Sequence, residues 1–248
     1  MNWLRLIRGE LRKLTSTRMP WAFLAVLVAI SATTAIAVIY GTDMDGTKTF
    51  ISTAADQRSL MAFAANATMI AGLFGAIAVA REYGHGTVVP TFLASPRRHR
   101  TVLVQLAAVS LAGGVLGLVG AALTVAGVAL TLPTTDYDFM VSTGGVTAVL
   151  AASTFAGAAG AVLGAGIGAL VRNTGGAVTG TVLLLIVAPP LIVQLVSDAT
   201  SWIPSTLANV LSGVGHDVSR PAALAALAAW AIIPALVALI AVNKRDVV

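Results

Sequence analysis

The chain has 248 residues, 57% hydrophobic and only 10% charged, with a formal net charge of +5, no cysteine and a mean hydropathy of +0.91. So little charge cannot cover a water-soluble fold, where about 25% of residues are charged. The missing cysteine excludes disulfides, thiolate metal sites and cysteine nucleophiles. The basic residues stand in short clusters between apolar blocks, a pattern of membrane orientation and not of nucleic-acid binding.

Residues 1–19 place Trp3, Leu4, Ile7, Leu11 and Leu14 at helical spacing, with Arg5, Arg8 and Arg12 elsewhere on the wheel. This predicts an amphipathic basic helix lying in the headgroup region, and it reads so in preference to a signal peptide. Six apolar blocks follow, at about 20–40, 60–80, 101–132, 143–171, 177–196 and 220–242. About 20 apolar residues cross roughly 30 Å of hydrocarbon as a helix with every backbone hydrogen bond made internally. The expected fold is therefore all-α and polytopic: one six-helix transmembrane domain over 20–248, entered through the amphipathic helix.

The first block opens at Pro20 and Trp21 and closes at Tyr40, with aromatics at both interfaces. The third is longer than one crossing needs, so it either tilts or projects beyond the bilayer. Gly113 and Gly117 in the third block, and Gly160, Gly164 and Gly168 in the fourth, form small-residue ridges along which helix backbones approach closely. Such ridges serve either packing within the chain or a dimer face. Pro189-Pro190 is expected to break or kink the fifth block. The connection 197–219, with Trp202, Ile203, Pro204, Leu207, Val210 and Leu211, is too apolar for a free loop and too interrupted for a crossing. It reads as an interfacial or re-entrant helical segment on the outer face, serving as an anchor or as a lid.

Charge sets the orientation. The segments 1–19, 81–100, 172–176 and the tail from Asn243 hold 12 of the 15 Lys and Arg; Lys48, Arg58 and Arg220 remain for the other side, where seven aspartates gather. This bias places both termini in the cytoplasm. No Asp, Glu, Lys, Arg or His interrupts the six apolar cores. Ion-coupled transporters, intramembrane proteases and haem proteins need such groups at membrane depth. No P-loop, G-x-S-x-G or H-E-x-x-H pattern occurs, so no catalytic residue, metal ligand or ATPase site is expected on this chain.

The most informative stretch is 81–100, which combines Arg97, Arg98 and Arg100 with turns at Gly84, Gly86, Pro90 and Pro96 and an apolar side of Val88, Val89, Phe92 and Leu93. A shaped cytoplasmic element of this kind reads as a docking surface for another protein, with a positive-inside anchor as the alternative for Arg97, Arg98 and Arg100. Its pattern Glu82-Tyr83-Gly84-His85-Gly86-Thr87, followed by Leu93-Ala94-Ser95-Pro96-Arg97-Arg98, resembles the E-x-x-x-G-T … L-x-x-(S/T)-P-x-x-R signature of the membrane subunits of ABC-2 type ATP-binding-cassette exporters. The layout of amphipathic helix, six spans and cytoplasmic ends resembles them too. The resemblance implies a permease without its own ATPase site, located in the cell (inner, cytoplasmic) membrane and exporting an amphiphilic or hydrophobic substrate such as a drug, peptide or lipid. It implies that 81–100 is a coupling element seated on a separate nucleotide-binding ATPase subunit. Glu82, Tyr83, Gly84, His85, Gly86, Thr87, Leu93, Ser95, Pro96, Arg97 and Arg98 are its docking residues, and Glu82 helps to transmit closure of the ATPase. ATP and Mg would belong to that partner, and a second permease chain, identical or not, would complete the exporter. One departure is visible: where the family often has a lysine early in the third span, Gln105 stands here. The alternative reading is a membrane scaffold or sensor subunit that docks a cytoplasmic protein and transports nothing.

Overall fold

A computed structural model describes residues 3–84, 98–215 and 217–244. Its elements are helices, with no strand among the described residues. Helix α1 is Trp3–Thr15, α2 Met19–Tyr40, α3 Ala54–Ala64, α4 Thr68–Gly84 and α5 Arg98–Thr131. They are followed by α6 Thr143–Val171, α7 Thr174–Val182, α8 Ala188–Leu195, α9 Pro204–Leu211 and α10 Arg220–Lys244. Among the described residues, six helical stretches are long and apolar enough to cross a membrane: Met19–Tyr40, Ala54–Gly84, His99–Thr134, Thr143–Val171, Thr174–Leu195 and Arg220–Val242. The fold class read from hydropathy is the one observed, that of a multi-pass membrane protein.

α6 is the hub. It packs against α4, α5 and α10, while α2 lies on the far side of α5, and α7 leans on α4 and α6. Small residues permit this. A Cβ on Gly164 would stand 2.7 Å from the carbonyl carbon of Gly72 and 2.9 Å from Ala76 N. Gly160 and Gly168 face the α4 backbone at Thr68 and Ala76 in the same way. On the other flank, Gly113 and Gly117 of α5 meet the α6 backbone at Gly157 and Ser153. All five ridge glycines thus lie at contacts within the chain, where backbones touch and dispersion acts over the shortest distance. Gly166 receives Pro234, whose ring would otherwise hold α10 away; a Cβ there would fall 2.9 Å from the proline Cβ. Across α2 and α5, Ser31 and Thr124 share a hydrogen bond of 3.1 Å between buried hydroxyls.

Two features differ from the hydropathy reading. The second crossing begins at Ala54, not near 60, and it is broken at 65–67 between α3 and α4. Asn66 fills the break: its Oδ1 accepts from Thr68 N–H at 3.2 Å, while its Nδ2 donates to Ser205 O at 2.9 Å and Asn209 Oδ1 at 3.2 Å. The amide thereby satisfies backbone freed by the interruption and ties it to α9. In the fifth crossing, of the break or kink expected at Pro189-Pro190, the break is absent: the helical stretch runs on from Thr174 to Leu195. A π-turn over Leu183–Val187 widens the coil just before the prolines, and the Ala188 N–H bonds Leu183 O, five residues back. The shifted ladder accommodates the two donors missing at the prolines.

Candidate functional site

Two polar regions lie at opposite ends of the bundle, here the α1 end and the α9 end. At the α1 end, α1 runs along the start of α5. Leu14 reaches the apolar cluster formed by Val79, Val102 and Leu106, while Leu4, on the apolar stripe read from sequence, is 72% exposed.

Lys13 of α1 holds two carboxylates. Its Nζ lies 2.7 Å from Glu10 Oε1 and 3.6 Å from Glu82 Oε1. Glu82, its side chain 19% exposed, also takes a hydrogen bond from the side chain of Gln105, a buried residue of α5. Burial works against the Lys13 ammonium, but the hydrogen bond to Glu10 and the charge of Glu82 outweigh it and hold Lys13 above its ordinary range. One ion-paired cluster therefore joins α1, the last turn of α4 and the first turns of α5. Tyr83, beside Glu82, packs into the apolar cluster, and the Arg172 guanidinium lies over its ring at 5.4 Å. Arg172 is the left-handed residue ending α6, with φ of 57°, and Asn173 follows at once as the N-cap of α7. On the other side of the cluster, Arg100 stands over the Trp3 ring at 5.9 Å.

The residues read from the motif fall into two groups. Glu82, Tyr83 and Gly84 end α4, and no atom of the described residues stands within 4 Å of where a Gly84 Cβ would lie. His85, Gly86, Thr87, Leu93, Ser95, Pro96 and Arg97 lie outside the described residues, and only the helical backbone of Arg98 is described. The two roots of this segment are held by the same helix, through Lys13 to Glu82 and through Trp3 to Arg100.

The sequence reading did not single out Lys13. A signal for it exists: Glu10 falls three residues after Ile7 and four before Leu14, inside the apolar stripe of α1. A charged pair on the protein-facing side of an amphipathic helix requires a partner. Gln105, the departure from the familiar pattern, donates to the glutamate whose cation comes from α1.

At the α9 end, Gln57 is fully buried and joins three segments. Its Nε2 donates to Ile51 O at 3.1 Å and to Asp138 O at 2.8 Å, and its Oε1 accepts from Met140 N–H at 2.9 Å. Lys48 covers the end of α2, donating to Val38 O at 3.2 Å and Ile39 O at 2.6 Å, where a cation complements the helix terminus. The 197–219 connection folds as a short 3₁₀ stretch over Ser197–Trp202 and then α9. α9 buries Leu207, Ala208 and Val210 against α6 and α10, and Trp230 Nε1 donates to Trp202 O at 3.0 Å.

Comparison with family models and with curated proteins gives no match to this chain.

Proposed function

We infer that this chain is the permease subunit of an ABC-2 type exporter, with the α1 end in the cytoplasm and 81–100 as the element that docks on a separate ATPase. The observation that carries the reading is the joint anchoring of the two roots of that element. Glu82 ends the second crossing and Arg100 opens the third, and both are tied to α1. α4 and α5 in turn bear on α6 through backbone contacts. A push delivered at 81–100 would then move a packed block of three crossings and not a free loop, which is what a transporter with uncharged cores needs from an external motor. The sidedness is supported by the charge bias, since 12 of the 15 Lys and Arg fall in the segments 1–19, 81–100, 172–176 and the tail from Asn243. ATP and Mg would be bound by the partner, and two permease chains would flank the path of an amphiphilic or hydrophobic substrate.

The test is co-expression with ATPases carrying a Walker A P-loop, followed by co-purification and ATPase assay in nanodiscs. The expected result is a stable complex whose ATPase rate depends on the permease. Lys13→Met and Glu82→Gln should lower that stimulation severalfold while the complex still forms. A chain that retains no ATPase would refute the proposal. A complex that forms without coupled export would make the chain a scaffold.

A further inference from the structure

At the α9 end a cavity of about 420 Å³ opens between the starts of α3 and α6 and the turn after α9, with Ala54, Ala55, Arg58, Ser142, Gly145 and Gly213 in its wall. Arg58 donates through Nε to Ser212 O at 2.7 Å, which fixes the plane of the guanidinium. A Cβ on Gly213 would stand 2.6 Å from Arg58 Cζ and 2.9 Å from Arg220 Nη2. Two guanidiniums therefore converge on one residue, and its φ of +80° is itself a conformation that favours glycine. No carboxylate among the described residues lies within ion-pair distance of either arginine. Asp56 is engaged by Thr53 and Ser52, and Asp217 is exposed. The third cation of this end, Lys48, is spent on the α2 carbonyls.

Two like charges, Arg58 in the wall of the cavity and Arg220 beside the wall residue Gly213, repel each other unless an anion joins them. The start of α6 adds partial positive charge of the same sign, whereas the start of α3 already carries the carboxylate of Asp56. Forked N–H donors arranged in this way match the oxygens of a phosphate. The cavity also lies where two candidate crossings begin, at Ala54 and Thr143, so it stands at the level where lipid headgroups meet hydrocarbon, and Val141 and Val214 give it an apolar side. We propose that the cavity between Arg58, Gly213 and the start of α6 binds a phosphate-type oxyanion presented by an anionic lipid headgroup. The proposal is independent of the exporter reading, since it needs neither a partner nor ATP.

The test uses the purified full chain, delipidated in uncharged detergent. The probes are phosphatidylglycerol, phosphatidylcholine and inorganic phosphate, read by native mass spectrometry and by the thermal unfolding midpoint. Phosphatidylglycerol should be retained and should raise the midpoint; phosphatidylcholine, its phosphate masked by choline, should do neither. Arg220→Gln alters an exposed side chain on which the fold does not depend. It should weaken phosphatidylglycerol binding by about tenfold or more, the worth of one charge-assisted hydrogen bond. Arg220→Lys, which keeps the charge and loses the fork, should fall between, so the outcome does not hang on Arg58→Gln folding well. Competition by inorganic phosphate through the same arginines would support the oxyanion chemistry with a free ion as its source, and absence of competition would support the lipid. Equal retention of the two lipids, or undiminished phosphatidylglycerol binding by Arg220→Gln, would overturn the proposal.

Discussion

Gln57→Leu should release the 135–142 stretch from α3. The substitution keeps most of the volume but strips partners from the carbonyls of Ile51 and Asp138 and from the N–H of Met140. A buried group left unsatisfied costs about 1–3 kcal/mol. With some lone pairs finding other donors, the local penalty comes to roughly 2–5 kcal/mol. Gln57→Glu is a sharper probe. Ionised, the introduced carboxylate would face two carbonyl oxygens, acceptor against acceptor; protonated, it can donate to one and still accept from Met140. Protonation therefore relieves the clash between acceptors. The chain has no cysteine, so Val141→Cys supplies a single thiol at a buried position of this stretch. In that background Gln57→Leu should speed maleimide labelling by about 30-fold or more, the equivalent of roughly 2 kcal/mol of easier opening. With Gln57→Glu the excess over the parent, compared at each pH, should shrink as the medium is acidified. Labelling of Gln57→Leu at the parental rate, or a pH-independent Gln57→Glu, would refute the reasoning.

Three further outcomes follow from contacts described above. Gly164→Val places branched carbons against the α4 backbone, where no side chain can swing aside. It should cost at least about 1–3 kcal/mol in a detergent unfolding titration, and Gly84→Ala, which meets no atom of the described residues within 4 Å, should cost far less. Replacing Pro189 and Pro190 together with alanine should let the π-turn relax to an α-turn and rotate residues 188–195 by about 100° about the helix axis; single-cysteine accessibility along α8 would detect the rotation. The Asp45 carboxylate is held below its ordinary range by the Thr47 hydroxyl at 2.6 Å and by the Thr47 N–H. The loop contact should therefore persist above the ordinary Asp value and be lost as the pH falls through the depressed one, and Thr47→Val should move an NMR titration of Asp45 upward.

The crossings were legible because lipid demands long apolar runs, and Tyr40 or Arg172 mark their ends without ambiguity. The interruption at 65–67 was not, because alanines on both sides keep the hydropathy smooth and Asn66 looks like an isolated polar residue. Its partners, Ser205 and Asn209, come from a distant segment that only folding brings near. The same holds at the α1 end. Glu82 stood out in the sequence by its motif, whereas its cation comes from the amphipathic helix and its amide donor from α5. The glycine ridges announced close approach but not a direction. That Gly160, Gly164 and Gly168 face α4 while Gly157 faces α5 is set by which neighbour lies on each side of α6.

The central position of α6 also bears on how the protein is made. The hub leaves the ribosome after α4 and α5, so these two helices, which pack against it, are inserted before it exists. α4 in particular must wait in the bilayer without the neighbour that will cover its glycine face. The second and fourth crossings are the least hydropathic of the six and the most buried, whereas the first and last, the most hydropathic, stay largely exposed. The early α2 can therefore stand alone in lipid, while the second crossing is a guest of the membrane until its host arrives. A stall in translation between residues 84 and 143 would leave that helix exposed to quality-control proteases, and the length of the pause would set how much of the protein survives.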